Sequence, residues 1–200
     1  MLSNGLTPLA PGKIAAIVTY LAIRPPPPAP HMEPRGSWTL TPIGSDLQRY
    51  LKLFREVGED WLWFSRLVMP KRELRAILDD PRVEAYAVQE HGRDIGLVEL
   101  DFREAGHCEL AYFGLVPRVI GKGAGRFAMN RVIERAFAEP IERLHVHTCT
   151  LDHPGAAGFY LRSGFRPYAR AVEVFDDPRL SGHIAPDAAP QWPAVAEDSQ

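Results

Sequence analysis

The sequence predicts an α/β protein of the α+β kind, a mixed sheet with helices packed on it, and three observations predict it. Strand-like runs at 83–89, 95–102 and 107–116 follow one another across short turns, as in an antiparallel meander. A strand, helix and strand come next, which is a crossover unit. The chain of 200 residues is 46% hydrophobic, 24% charged and 10% aromatic, enough for one sizeable core and too apolar for general disorder.

The elements can be justified in order. Residues 14–23 (IAAIVTYLAI) fall short of the roughly 18 that a membrane span needs, and Thr19 and Tyr20 interrupt them. Their β-branched content and the stop at Pro25 read as a strand. A secretory segment after Lys13 would need a small-residue cleavage site, but Arg24 and a proline run follow instead. Pro25 to Pro28, Pro30 and Pro34 must run as extended, polyproline-like chain. Residues 1–37 are therefore read as a first strand and a stiff connector.

The body of the domain, 38–177, opens with a strand at 38–43. Ser45 with Gln48 three places on has the form of a capping box. Leu47, Tyr50, Leu51, Phe54, Val57 and Trp61 then recur at helical spacing. A shorter helix at 71–78 stops at Asp79-Asp80-Pro81. The meander follows, with its first turn at His91-Gly92-Arg93. The next helix carries the stripe Met129, Val132, Ile133, Ala136 and Phe137. Residues 144–150 form a strand, 154–162 a short helix ended by Gly164 as its C′ residue, and 166–175 a last strand. Residues 178–200, with Pro178, Pro186, Pro190 and Pro193, read as a loosely ordered tail.

Composition excludes several function classes. A formal net charge of −2 gives no electrostatic case for nucleic acid or a membrane surface as partner. Two cysteines, Cys108 and Cys149, cannot build a disulfide scaffold or a four-cysteine zinc site, and reduced thiols point to a cytoplasmic protein. His145, His147 and Cys149 share a strand face, with Asp152 and His153 just beyond. No complete ligand set emerges, so no metal is expected.

The run that carries chemistry is Leu115-Val116-Pro117-Arg118-Val119-Ile120-Gly121-Lys122-Gly123-Ala124-Gly125-Arg126. Glycines at alternate positions stand between a strand and a helix, where they let a ligand approach the main chain. Consecutive amides at a helix start bind anions, helped by the helix dipole. The physics indicates a phosphate cradle without naming the phosphate compound. A P-loop is excluded because Gly121-Lys122 is followed by Gly123 rather than Ser or Thr. The dinucleotide fingerprint is excluded because Arg126 stands where its third glycine belongs.

Read with 156–165 (AAGFYLRSGF), the run from Val116-Pro117 to Gly125 resembles the GCN5-related N-acetyltransferase (GNAT) superfamily. That signature is Arg/Gln-x-x-Gly-x-Gly/Ala after a strand, with a later helix of the form A-x-x-x-Y-x-x-x-G-F. The resemblance covers residues 38–175 and leaves 1–37 unexplained. With Val116-Pro117 setting the register, the signature glycines fall on Gly123 and Gly125, and Ile120 replaces Arg/Gln. Sliding back puts Arg118, Gly121 and Gly123 on the same pattern; the first register is preferred because it places Met129 and the helix stripe. His153 stands where many relatives have asparagine. The resemblance implies a twisted, mostly antiparallel sheet splayed at a cofactor cleft, with helices on both faces. It implies acetyl-coenzyme A (acetyl-CoA) as cosubstrate. Main-chain groups from Phe113 through Leu115 and Val116 would pair with the pantetheine arm. The amides of Gly121, Lys122, Gly123, Ala124, Gly125 and Arg126 would hold the pyrophosphate, and the Lys122 and Arg126 side chains could add charge.

Acetylating an amine needs a base for the amine proton and an acid for the departing thiolate. The resemblance gives the acid role to Tyr160. For the base, Glu109 is read on a strand face with Ala111, Phe113 and Leu115, where apolar neighbours would raise its pKa. Its position also matches the glutamate base of the superfamily's histone-acetylating branch. Glu99 and then Asp101 are the alternatives, sharing a face with Ile95 and Leu97 and able to line the same cleft. His147 or His153 could also take the substrate proton. Trp61, Trp63 and Phe64 end the first long helix and are the candidates for the acceptor wall, with Asp101 and His153 beside them.

The expected function is acetyl transfer from acetyl-CoA to a primary amine, on a small molecule or a peptide, by direct attack in a ternary complex. Transfer of another acyl group or to a hydroxyl, and a non-catalytic acyl-CoA-binding module, are the other readings. An exposed first strand could pair with a second copy in a homodimer.

Overall fold

A computed structural model describes residues 3–25, 27 and 36–196. The meander and crossover pattern produces β1 (Lys13–Ile23), β2 (Trp38–Pro42), β3 (Val83–Glu90), β4 (Arg93–Asp101), β5 (His107–Leu115), β6 (Arg143–Cys149) and β7 (Arg166–Asp176). They form one sheet in the order β2-β3-β4-β5-β6-β1-β7. Every adjacent pair is antiparallel except β5 and β6. The helices are α1 (Leu47–Gly58), α2 (Ser65–Val68), α3 (Lys71–Leu78), α4 (Ala124–Ala136) and α5 (Ala156–Arg162). Helices α1 and α4 lie on opposite faces. Tyr50 of α1 reaches Glu99 of β4, whereas Arg135 of α4 bonds Glu84, which pairs with the next residue of β4, Leu100.

The first strand is not a sheet edge. It pairs with β6 from Val18 to Ile23 and with β7 from Lys13 to Ala22. Its Ala16, Val18, Leu21 and Ile23 are all buried. Apolar and β-branched side chains on both faces suit a covered, interior strand, so the open edge expected here belongs instead to β7. The proline-rich connector lies largely outside the described residues.

Local chemistry sets the element ends. Asp46, rather than Ser45, caps α1, its carboxylate accepting the Arg49 N–H at 3.0 Å. Helix α1 buries Tyr50, Leu53, Phe54 and Val57 and stops before Trp61, which falls in a 3-10 turn at Glu59–Trp61. Leu62 then adopts φ 57°, turning the chain so that Trp63 and Phe64 leave the helix axis. Residues 178–196, expected to be loose, contain no helix or strand but pack Ile184, Ala188 and Ala189 against Ala16, Leu62 and Leu151. Buried Arg179 anchors them: it pairs with Asp177 at 2.6 Å and donates to the carbonyls of Ala188 (3.2 Å) and Trp192 (2.6 Å). One arginine satisfying scattered carbonyls leaves no periodic signal in a sequence.

A bulge between β4 and β5 re-aims the residues that matter most. Glu99 pairs with Tyr112, but the next residue, Leu100, pairs with Leu110. The extra residue, Ala111, puts Tyr112 and Leu110 on opposite faces although they are two apart. Glu109 consequently shares the α1 face with Tyr112, not the face of Phe113 and Leu115.

Candidate active site

Strands β5 and β6 pair only at His107–Arg143, Cys108–Leu144 and Glu109–His145. Beyond Glu109 they separate, and β5 presents its open edge up to Leu115. A cavity of about 360 Å³ lies in this wedge, lined among others by Trp61, Trp63, Phe64, Tyr112, Leu115, His147, Cys149, Asp152, His153 and Tyr160. The structure thus brings the aromatic trio, Leu115, His153 and Tyr160 to the lining of one cavity.

Tyr160 reaches the cavity because of how α5 ends. Gly164 at φ 99° closes a Schellman turn, in which the Gly164 N–H bonds the Leu161 carbonyl at 3.2 Å and the Phe165 N–H bonds the Tyr160 carbonyl at 3.1 Å. Phe165 is fully buried and packs edge-on to the Tyr160 ring, while Phe113 and Phe159 flank it. Tyr160 is 6% exposed, and no protein group among the described residues hydrogen-bonds its hydroxyl. Burial, with Asp152 nearby, pushes its pKa well above the usual phenol range.

Glu109 differs from expectation in its electrostatics. His147 approaches it at 3.4 Å across the wedge, and this bond holds the Glu109 carboxyl below its ordinary value in spite of burial. The same contact raises His147 above the usual imidazole value, with burial opposing. The carboxylate is therefore an orienting partner for a histidine, and the imidazole, not the carboxylate, lines the cavity. Cys149, the thiol in the cavity, is pushed up to about 11 by burial and then by Asp152. It is protonated at neutral pH and a poor nucleophile.

The other two carboxylates proposed for the cleft do not line the cavity. Glu99 is fully buried, bonded by the Tyr50 hydroxyl and by Arg66 at 2.5 Å. Arg66 in turn lies over the Tyr112 ring at 5.2 Å, so Glu99 locks α1 and α2 to β4. Removing one member of a buried pair strands the other, so Arg66→Ala is expected to lower stability by about 3–5 kcal/mol, read by denaturant unfolding. Asp101 sits at the end of β4, held by Arg103 at 2.5 Å. Burial opposes, but the Arg103 side chain and backbone win, and its pKa falls.

Asp152 is an organiser. It accepts from the Trp63 indole (3.2 Å), the Thr148 hydroxyl (2.8 Å) and the Cys149 amide (2.8 Å). Trp61 meets His153 edge-on at 5.2 Å, and Phe64 packs on Phe175 at 5.1 Å. Glu173 and Phe175 of β7 also line the cavity. The sequence reading missed both, because only the insertion of β1 brings β7 to this place.

The glycine run has the form of an anion cradle. Gly123 caps α4 at φ 103°, and the amides of Gly121, Gly123, Ala124, Gly125 and Arg126 have no backbone acceptor. The Lys122 amide is spent on Val119 at 3.3 Å. Val116 is spent too: its N–H bonds Ile95 and its carbonyl accepts from Val119, so it has little left for a ligand. The Lys122 and Arg126 side chains are exposed. Among the described residues no His, Cys, Asp and Glu side chains gather as a metal site.

Residues 50–165 match the model of the acetyltransferase (GNAT) family. No curated protein matches the chain in sequence. Among solved structures it is similar to a GCN5-related N-acetyltransferase from Sphaerobacter thermophilus (TM-score 0.61, 15% identity, covering 93% of this chain and 55% of that one). It is also similar to a GCN5-related N-acetyltransferase from Kribbella flavida (0.55, 18%, 86% and 63%). A third is an aminoglycoside acetyltransferase from an uncultured soil metagenomic sample, solved with sisomicin (0.52, 12%, 64% and 87%). The chain spans less than two thirds of the first two of these proteins. At such identities the likeness is one of fold. The family match covers more than half of the chain, and the sheet, the wedge and the glycine turn agree with it: the chain belongs to the GNAT acetyltransferase family.

Proposed function

We propose that this chain transfers an acetyl group from acetyl-CoA to a primary amine by direct attack in a ternary complex. The observation that carries the reading is the Tyr160 hydroxyl, on a buried side chain but left without a protein partner among the described residues, in a cavity it shares with His147. The residues present fit the cosubstrate. The free amides of Gly121, Gly123, Ala124, Gly125 and Arg126 suit a diphosphate, and the open edge of β5 up to Leu115 suits an extended amide-bearing arm. Bound there, acetyl-CoA supplies an activated thioester.

The chain's own groups handle the protons. Glu109 holds His147 through Nδ1, which leaves Nε2 free to accept a proton from the ammonium or the attacking amine. Tyr160 stays protonated and donates to the departing thiolate. The high pKa of Cys149 disfavours an acyl-enzyme and supports direct transfer. An amine is favoured over a hydroxyl because the charged lining is acidic, Asp152 and Glu173, with neither Lys nor Arg among the described lining residues. Aromatic walls beside these carboxylates suit a cation with an apolar body.

Thiol release from acetyl-CoA, followed across a panel of primary amines and matched alcohols, tests this reading. Turnover with amines alone is expected; slow release that no acceptor accelerates would leave only a binding module. A pH prediction follows. His147 must be neutral to act, so kcat/KM rises as pH climbs through a pKa above the ordinary imidazole value of about 6.5. Glu109→Gln moves this limb to lower pH. His147→Gln abolishes the limb and costs about 10²–10⁴ in rate.

A further inference from the structure

The end of β1 and the starts of β6 and β7 meet at one place, because β1 runs antiparallel to both. Ala22 pairs with His145 and with Arg166, and Ile23 pairs with Leu144. Arg24, just beyond β1, is thereby brought to Arg143 and Arg166, the first residues of their strands. The three arginines and Tyr168 line a second cavity, of about 410 Å³, whose described lining holds no acidic side chain. Clustered like charges repel unless an opposite charge offsets them, and none of the three forms an ion pair among the described residues. Arg143 reaches only His107 Nδ1, at 3.4 Å, and Arg166 donates to the Phe165 carbonyl at 3.3 Å. Glu104 and Glu142 approach His107 instead, at 2.6 and 4.0 Å. The Arg143 Nε is buried with no hydrogen-bond partner, a cost that an anion bound at the same guanidinium would offset.

An aromatic floor joins this cavity to the active site. Arg143 lies over the Tyr168 ring at 5.6 Å, Tyr168 packs on Tyr20 at 6.1 Å, and Tyr20 packs on His147 at 6.0 Å. Arg143, His145 and His147 share one face of β6. A strand rise of about 3.3 Å per residue puts the arginine and the proposed base roughly 13 Å apart. Charge reverses between the two ends: Asp152 and Glu173 line the cavity with His147, and arginines line the other. A molecule lying along this floor meets carboxylates at one end and guanidinium groups at the other. Arginine is well suited to a carboxylate, which it can grip through paired N–H donors.

We propose that Arg24, Arg143 and Arg166 hold a carboxylate of the acceptor whose amine lies at His147, so that the chain selects zwitterionic acceptors about as long as a four-residue extended peptide. This assignment deepens the acyl-transfer reading and rests on it.

The probes are alanine peptides of two to six residues, each as the free acid and as the C-terminal amide, with phenethylamine as an acceptor lacking a carboxylate. At four residues the acid should exceed the amide in kcat/KM by about 10- to 100-fold, the span of a charged hydrogen bond. The two-residue peptide, too short to reach both ends, should show no preference. Arg143→Gln should abolish the preference and leave phenethylamine turnover unchanged. Should that variant misfold by circular dichroism, Arg24→Gln with Arg166→Gln decides: both side chains are exposed, and their joint loss should remove most of the preference. Calorimetry with the N-acetylated four-residue peptide, as acid and as amide, reads the site without turnover. Tighter binding of the acid by a chain that acetylates no amine supports the carboxylate site and overturns the acyl-transfer reading. Amine turnover in which acid and amide react and bind alike at every length overturns the site alone. So does inhibition by inorganic phosphate that Arg143→Gln relieves without any acid-over-amide preference, which marks a site for a free anion.

Discussion

Tyr160→Phe lowers kcat by about 10²–10⁴-fold, the span of a general acid, and leaves acetyl-CoA affinity nearly unchanged. The size follows from where the hydroxyl sits. The ring is buried among Phe113, Phe159 and Phe165, and the hydroxyl makes no protein hydrogen bond among the described residues. Its loss therefore costs the fold almost nothing, and the melting temperature should hold. Burial keeps the phenol protonated well past neutrality, so the wild-type pH profile should show no decline from this group until above the usual phenol range. Steady-state kinetics with calorimetric cofactor titration separates the roles: loss of turnover at constant affinity marks an acid, and equal loss of both marks a binding contact.

Gly123→Val weakens cofactor binding by a different route. Gly123 sits at φ 103° at the head of α4, where a β-branched residue costs about 1–3 kcal/mol of backbone strain. The chain relaxes by turning the free amides away from one another, and the cradle must then be rebuilt at each binding event. Acetyl-CoA affinity should fall roughly 10- to 100-fold, with kcat at saturation much less affected. Lys122→Ala, by contrast, removes an exposed charge and should change affinity little.

The two residues show what a sequence can and cannot reveal. Gly164 announces the end of α5, and thereby the position of Tyr160, because a left-handed C′ residue has a strong glycine preference. The glycine run announces its amides for the same reason. The fold class was legible because period-two and helical spacings are local. Glu109 was placed on the wrong face because one extra residue at Ala111 inverts the alternation, and nothing in the run HCELAYFGL marks a bulge. Its partner His147 comes from the other side of the wedge, so the fall in carboxyl pKa is a tertiary effect. The place of β1 between β6 and β7 is likewise a non-local choice, and it decides that Glu173 and Phe175 join the cavity. Glu99 reads as a candidate base until Tyr50 and Arg66 are seen to consume both its oxygens.

The most direct test of this account is a calorimetric titration of the wild-type chain with acetyl-CoA, repeated on Gly123→Val. Saturable one-to-one binding that the variant weakens by the stated factor is the result expected. A wild-type chain that takes up no acetyl-CoA, or a variant that binds it equally well, would contradict the claim that the free amides before α4 deliver a thioester to Tyr160 and His147.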